Sequence, residues 1–288
     1  MPRTAEPFRA WRQGRPPDRR AGRSRPVSPT SRIVERFDRL GDRGRKAFVP
    51  YLTAGDPDLE TTLALARMLE REGADILELG VPFTDPIADG PVNQRAAQRA
   101  LDRGVTPGDV LQAIAELRRT GFELPIVLFT YSNPLLRLQA RGPLEGVDGI
   151  LVTDLPPEEA DDHLSRCRAA GIDTIFLAAP TTPENRIPRL AESSTGFLYV
   201  VSSKGVTGAR TALPQDLEAQ VSRLRPHTSL PLCVGFGIGS RDSAARVCSV
   251  ADGYVVGSAL GAVIEVAVGE GNDPLPAAQQ FVRSIDPR

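Results

Sequence analysis

The 288-residue sequence predicts an α/β protein whose single folded domain is a (β/α)8 TIM barrel. Three observations predict this fold: short apolar runs alternate with amphipathic stretches, the runs number eight, and glycine-containing loops follow the last three runs. The runs are mostly β-branched or otherwise apolar, as expected for parallel strands that are buried on both faces. In chain order they are Ala47–Leu52, Ile76–Leu79, Ile126–Thr130, Ile150–Thr153, Thr174–Ala178, Phe197–Val201, Leu232–Val234 and Tyr254–Val256.

The segments around these runs have the apolar spacing of amphipathic helices. The first helix is expected near 33–40, with Gly41 as its stop. Thr106 and Pro107 are expected to open a later helix as N-cap and first residue, and the last helix opens in the same way at Asp273-Pro274. A doubly wound sheet is the alternative, but no Gly-x-Gly-x-x-Gly motif follows the first strand, which favours the barrel.

The first 30 residues differ in composition from the rest of the chain. They hold eight arginines against Glu6 and Asp18, a local net charge of +6, and few large apolar residues. Such a segment buries too little surface to order itself. We therefore expect a disordered extension over residues 1–30 and a catalytic barrel domain over residues 31–288.

The composition of the whole chain points to a cytoplasmic protein. The net charge is −1, which provides no general attraction to nucleic acid or to a membrane surface. No apolar run approaches the ~20 residues of a membrane span. The cysteines Cys167, Cys233 and Cys248 are irregularly spaced and are interpreted as reduced thiols.

Glu78 is a charged residue inside the second apolar run. Because strand side chains alternate, Glu78 shares a face with Ile76 and Gly80, while Leu77 and Leu79 share the other face. If the leucines face the helices, Glu78 points into the barrel near the strand's carboxyl end, where active sites of this fold lie. Burial there raises a carboxyl pKa, so an acid–base role is favoured over a structural ion pair with an Arg or Lys.

The stiff, proline-rich loop 81–91 follows this strand. Asp85 and Asp89 are its only charged residues. Either carboxylate can accept a hydrogen bond from a ligand N–H group, or can close an Asx turn within its own loop. The two interpretations have equal weight at this point.

Glycine loops after the last three strands predict a phosphate site. Glycine allows backbone N–H groups to approach an anion, and a helix N-terminus, expected after Gly257, adds unpaired donors. Barrels of this kind often bind phosphate with the loops after strands seven and eight. Lys204 lies in the first of these loops and is expected to be a mobile surface lysine. The predicted phosphate contacts are Gly208, Gly237, Gly257 and Ser258.

The two histidines, His163 and His227, fall in predicted helix or loop segments and are interpreted as solvated surface residues. This disfavours histidine acid–base catalysis and a histidine-ligated metal site, so carboxylates are expected to transfer protons. Tyr199 lies mid-strand and either points toward a substrate or is a core tyrosine; the residues alone favour the core interpretation.

Five motifs resemble the tryptophan synthase alpha chain family over about residues 31 to 288. The segment from Glu78 to Asp89 is the most specific of them. The motifs are Phe48–Pro57, Leu77–Pro91, Gly205–Gly208, Gly235–Gly237 and Gly257–Ala259.

The resemblance implies a lyase that cleaves indole-3-glycerol phosphate by a retro-aldol reaction to indole and glyceraldehyde 3-phosphate, in tryptophan biosynthesis. It implies that Glu78 is the acid–base catalyst, that Asp89 holds the indole N–H group and that Tyr199 lies against the reacting part of the substrate. It also implies a mobile loop around Thr207. The implied indole-pocket residues are Tyr51, Phe129, Tyr131, Leu151, Thr153, Thr207 and Phe236.

The resemblance implies no cofactor in this subunit, with pyridoxal phosphate confined to a beta subunit that joins it in an α2β2 heterotetramer. Two features depart from the family: the segment 133–154 is a few residues short, and Tyr51 stands where phenylalanine is expected. Three alternatives remain: a sugar-phosphate isomerase or epimerase, a non-enzymatic activator of the beta subunit, and a lyase that works alone.

Overall fold

All strands in the described part of the chain belong to one parallel sheet. The computed structural model describes residues 31–202, 216–235 and 237–288, and the extension 1–30 lies outside the described residues. The strands are β1 (Ala47–Thr53), β2 (Leu77–Gly80), β3 (Ile126–Thr130), β4 (Gly149–Val152), β5 (Asp173–Ile175), β6 (Leu177–Ala178), β7 (Leu198–Val201), β8 (Leu232–Gly235) and β9 (Gly253–Val256). Their order is β5-β4-β3-β2-β1-β9-β8-β7-β6.

The two ends of this sheet are consecutive pieces of one predicted strand. The run Thr174–Ala178 is interrupted at Phe176, so that β5 pairs with β4 while β6 pairs with β7. The Phe176 carbonyl accepts a hydrogen bond from the backbone N–H of Tyr199 at 3.0 Å. The sheet therefore curves into a nearly closed barrel of eight strands with one broken strand, and the doubly wound alternative is wrong.

Helices surround this barrel. They are α1 (Arg32–Asp42), α2 (Leu59–Arg71), α3 (Pro91–Asp102), α4 (Pro107–Arg119), α5 (Ser132–Gln139), α6 (Asp161–Ala170), α7 (Ile187–Ser193), α8 (Leu217–Leu224), α9 (Arg241–Val250), α10 (Ser258–Gly269) and α11 (Pro274–Ile285). Short 3₁₀ helices span Pro157–Glu159, Glu184–Arg186 and Arg225–His227. None of the helices in the described ranges is long and apolar enough to cross a membrane.

The helix boundaries follow most of the sequence signals. Thr106 and Asp273 cap α4 and α11 as predicted, and Thr106 forms a full capping box. The prediction that Gly41 ends the first helix is wrong. Helix α1 continues to Asp42, and the left-handed turn that follows is made by Gly44, with φ +63°.

The apolar core has two layers separated by the strands. The layer between strands and helices contains Leu77 and Leu79, whereas the barrel interior contains Ile76, as the alternation predicted. Helix α1 closes the amino-terminal end of the barrel with the buried side chains of Ile33, Phe37 and Leu40, and the ring of Phe37 lies 6.0 Å from that of Phe197. The opposite end, where the strands terminate, holds the candidate site.

The surface assignment of His163 is wrong, whereas His227 is exposed as predicted. His163 lies on the inner side of α6 with 8% of its surface exposed, and its ring nitrogens are 3.7 Å from the Cys167 sulfur. Burial lowers the pKa of His163, which favours the neutral imidazole in this packed position. All three cysteines are free.

Candidate active site

A cavity opens at the carboxyl ends of the strands, where the fold places active sites. It contains about 450 Å³ of atom-free space, part of which is open to solvent. Its walls come from loops and strand ends that are distant in sequence. The lining residues are Tyr51, Glu78, Asp89, Asn93, Phe129, Tyr199, Gly237, Ile238, Val255, Gly257 and Ser258.

Glu78 projects from β2 into this cavity. Only 1% of its surface is exposed, and within the described residues its Oε1 has no hydrogen-bond partner. Burial raises the pKa of Glu78 to about 8, because no nearby cation compensates the loss of hydration. The carboxyl is therefore mostly protonated at neutral pH, and it can donate a proton and then take one back.

Asp89 reaches the same cavity from the loop after β2. It is 8% exposed, and the Tyr131 hydroxyl donates to its Oδ2 at 2.7 Å. The backbone N–H of Ala88 donates to that hydroxyl at 3.0 Å, which fixes the tyrosine. Burial raises the pKa of Asp89, while the Tyr131 and Asn93 side chains oppose the rise. Asp85 is exposed and does not line the cavity, which separates the two carboxylates of this loop.

Two tyrosines occupy the barrel interior because the facing strand positions are glycines. A Cβ at Gly80 would clash with the ring and hydroxyl of Tyr51, and a Cβ at Gly235 would clash with those of Tyr199. The Tyr51 ring meets Phe129 edge-on at 5.3 Å and 76°. Burial raises the pKa of Tyr51 well above its usual range, and the nearby carboxylates of Asp89 and Glu78 add to the rise.

Replacing Gly235 with alanine should force the Tyr199 ring out of its place. We expect a loss of about 1–3 kcal/mol in the free energy of unfolding, the usual cost of overpacking a core. Urea titration of the purified variant measures the loss. Gly269→Ala is the matched control, because a Cβ there meets no atom within 4 Å. Equal stability of the two variants would show that Tyr199 can rearrange freely.

The side of the cavity predicted to bind phosphate is formed by Gly237, Gly257 and Ser258. Gly257 directly precedes α10 and makes no side-chain cap, so the first-turn N–H groups of this helix are available to an anion. Gly237 has φ +78°, a conformation that favours glycine. Lys204, Thr207, Gly208 and Phe236 lie outside the described residues.

The remaining predicted pocket residues lie close to the cavity without lining it. Tyr131 contacts the cavity through Asp89, Leu151 is fully buried in the barrel interior, and the Thr153 hydroxyl donates to the Thr130 carbonyl at 3.3 Å.

Sequence reasoning missed Asn93, Ile238 and Val255, which line the cavity. Asn93 had a readable signal, because it is the third residue of the helix that begins at Pro91, immediately after the Asp89 loop.

This arrangement suits acid–base chemistry on a phosphorylated molecule that carries an aromatic ring and a polar N–H group. A protonated buried carboxyl, a carboxylate held by a tyrosine and aromatic walls converge on one space. Within the described ranges, no group of three His, Cys, Asp or Glu side chains is placed to hold a metal ion.

Comparison with known proteins assigns a family. The sequence model of the tryptophan synthase alpha chain family matches residues 37–285. The alpha chain of Nitrosococcus oceani is 50% identical over 235 residues, 80% of this chain and 87% of that protein. The alpha chain of Laribacter hongkongensis is 45% identical over 258 residues, 88% of this chain and 98% of that protein.

Solved structures agree. The crystal structure of tryptophan synthase subunit alpha from Legionella pneumophila matches with a TM-score of 0.79 at 37% identity, covering 88% of this chain and 97% of that chain. A chain of the tryptophan synthase α2β2 complex from Pyrococcus furiosus matches with a TM-score of 0.76 at 38% identity, covering 83% and 97%. The protein thus belongs to the tryptophan synthase alpha chain family, lyases that cleave indole-3-glycerol phosphate to indole and glyceraldehyde 3-phosphate in tryptophan biosynthesis.

Proposed function

We propose that Glu78 is the proton carrier in the cleavage of indole-3-glycerol phosphate and that Asp89 stabilises the charge that develops on the indole ring. The observation that carries this proposal is the buried Glu78 carboxyl, which has no partner for Oε1 among the described residues and faces the same cavity as Asp89. Burial favours the protonated form of such a carboxyl near neutral pH, and this form can donate its proton to a substrate.

The reaction begins with transfer of the Glu78 proton to C3 of the indole ring, which leaves a positive charge shared with the ring nitrogen. The resulting Glu78 carboxylate then takes the proton of the C3′ hydroxyl. The bond between C3 and the glycerol side chain breaks, its electron pair returns to the ring, and an aldehyde forms. Glu78 donates one proton and takes one back, and the ring accepts the electron pair of the broken bond. Because the ring itself is the electron sink, we propose that this subunit requires no cofactor.

Asp89 is proposed to accept a hydrogen bond from the indole N–H group. Its carboxylate is held by the Tyr131 hydroxyl at 2.7 Å, so its position is fixed before the substrate arrives. In a site from which water is excluded, a negative charge held beside the ring nitrogen stabilises the cationic intermediate by roughly 3–4 kcal/mol.

The rest of the cavity is assigned by its chemistry. Tyr199 is proposed to lie against the reacting part of the substrate, and Phe129 and Tyr51 against the indole ring. Backbone N–H groups at the phosphate end would bind the phosphate, and Thr207 is proposed as part of the indole pocket. The proposed phosphate contacts are Gly208, Gly237, Gly257 and Ser258; Leu151, Thr153 and Phe236 complete the proposed indole pocket.

We further propose that a beta subunit binds over the mouth of the barrel, as an α2β2 assembly in the cytoplasm with pyridoxal phosphate held by the partner. Two large apolar side chains are exposed on this side, Ile87 at 77% and Leu136 at 64%. Ile87 belongs to the loop that carries Asp89. Leu136 lies on α5, and Tyr131, the residue before this helix, contacts the same loop. Contiguous apolar patches mark protein interfaces, and these two side chains would supply apolar surface to such a patch.

Release of indole from indole-3-glycerol phosphate by the purified chain, with and without a beta subunit, tests the complex. We expect the beta subunit to increase the rate, and Leu136→Asp to reduce this increase while the rate of the isolated chain is unchanged. Val266→Asp is the matched control, since Val266 is 59% exposed on α10. A rate that is high and independent of the beta subunit would indicate a lyase that works alone.

A further inference from the structure

An ion-pair cluster of four side chains joins three segments beside the cavity. The Arg99 guanidinium donates to both carboxylate oxygens of Asp56, at 2.7 and 2.9 Å, and to Glu265 Oε1 at 2.7 Å. Arg95 donates to both oxygens of the same Glu265, each at 2.7 Å. These four residues are called the Arg99 cluster below. Arg99 is its centre, because it alone contacts both carboxylates.

Each of the three segments also carries a group that faces the cavity. Asp56 lies in the turn that follows β1, the strand of Tyr51. Arg95 and Arg99 lie on α3. The first turn of this helix contacts the loop that carries Asp89, because the Gln94 side chain donates to the Asp89 carbonyl at 2.9 Å. Glu265 lies on α10, which begins at the proposed phosphate site. The Arg99 cluster therefore connects the segment after the strand of Tyr51, the helix next to Asp89 and the helix that begins at the proposed phosphate site.

These three segments also pack closely against one another. A Cβ at Gly261 of α10 would lie 3.2 Å from Val92 and 3.8 Å from Asn93, both in the first turn of α3. A Cβ at Gly55, beside Asp56, would lie 3.1 Å from Ala100 of α3 and 2.7 Å from Val105, three residues after that helix. A displacement of α10 would thus be transmitted to the part of α3 that holds Asp89.

The contacts of the cluster depend on the planar guanidinium group of Arg99. Asp56 is only 4% exposed, while about a quarter of the Arg99 and Glu265 side chains is exposed. Hydrogen bonds from Arg95 lower the pKa of Glu265 to about 2, so this carboxylate stays ionised. A lysine at position 99 would retain one positive charge beside Asp56, but a single ammonium group cannot make the two-pronged contact with Asp56 while it also binds Glu265.

We infer that Arg99 is a positioning residue that couples occupation of the phosphate site to the placement of Asp89 against the indole ring. This inference rests on the proposed function. Phosphate bound at the start of α10 would fix that helix, the Arg99 cluster would fix α3 relative to it, and α3 would hold Asp89 in its productive position.

The test compares kcat/KM for indole-3-glycerol phosphate with kcat/KM for indole-3-glycerol, which lacks the phosphate. We expect Arg99→Lys to reduce the ratio of the two values by about tenfold, mainly through kcat for the phosphorylated substrate. Glu265→Gln should act in the same direction, and it leaves the Asp56–Arg99 pair intact should the first variant fold poorly. Arg283→Lys is the matched control, because Arg283 makes a two-pronged ion pair with Glu72 on an exposed surface.

An equal loss on both substrates in Arg99→Lys and Glu265→Gln would overturn the inference, since a merely structural cluster affects them alike. A ratio near one for the wild-type chain would instead remove the proposed phosphate site, and the coupling with it. A lower ratio in both variants, with Arg283→Lys unchanged, would support the inference.

Discussion

Replacing Glu78 with glutamine should reduce kcat for indole release by about 10³-fold or more, the usual contribution of a general acid–base group. Glutamine has nearly the same shape, so the cavity is preserved, but its amide neither donates a proton to the ring nor accepts one from the C3′ hydroxyl. The measurement is indole release by saturating substrate, with circular dichroism to confirm folding. Glu72→Gln is the control and should retain full activity, because Glu72 pairs with the exposed Arg283 and does not line the cavity.

The same variant should also change how stability depends on pH. The folded-state pKa of Glu78 is about 8, far above its ordinary value of 4.5. Between these values the folded protein keeps a proton that the unfolded chain has released, so this group lowers stability as pH rises, by about 1.4 kcal/mol per pH unit. Glutamine does not titrate. The stability gained in Glu78→Gln should therefore grow from about pH 5 to about pH 8, as urea titrations would reveal.

Activity and stability of Glu78→Gln test two separate parts of the proposal, the proton transfer and the raised pKa of Glu78. Substantial activity in Glu78→Gln, above a tenth of the wild-type value, would mean that another group carries the protons. A stability difference that does not change with pH would mean that the Glu78 carboxyl is ionised in the folded protein.

Replacing Asp89 with asparagine should reduce kcat/KM for indole-3-glycerol phosphate by about 10²- to 10³-fold. The amide cannot neutralise the positive charge that develops on the indole nitrogen. If its oxygen keeps the hydrogen bond that the Tyr131 hydroxyl donates to Asp89 at 2.7 Å, its N–H₂ group replaces the oxygen that would accept from the indole N–H group. Steady-state kinetics without a beta subunit provide the measurement. Asp85→Asn is the matched control from the same loop, since Asp85 is exposed and does not line the cavity.

The division of this loss between kcat and KM decides the role of Asp89. A loss in kcat is expected if the carboxylate acts on the cationic intermediate. An increase in KM with kcat unchanged would show that Asp89 only binds the substrate in its ground state. Equal effects of Asp85→Asn and Asp89→Asn would contradict the assignment altogether.

The parts of the fold that depend on local pattern were predictable from sequence. All eight apolar runs contain strands, and the alternation around Glu78 placed it in the barrel interior because neighbouring leucines required the opposite face. The capping residues Thr106 and Asp273 were also readable, since a cap depends on the next two or three residues. Gly257, directly after the last strand, correctly indicated a helix start beside the cavity.

Features that depend on distant contacts were not predictable. The break at Phe176 arises because one strand must pair with neighbours on both sides while the barrel closes. His163 has a polar side chain, yet packing around Cys167 buries it. Gly80 and Gly235 matter through tyrosines on neighbouring strands, a relation visible only once the register is known. The Arg99 cluster spans more than 160 residues of chain, so no local pattern could reveal it.

Helix α1 and the packed barrel interior restrict how molecules enter and leave this enzyme. In the part of the chain that the structure describes, Ile33, Phe37 and Leu40 close the amino-terminal end of the barrel, so substrate, water and both products use the opposite end. Whatever covers that end therefore controls where indole goes after the carbon–carbon bond breaks.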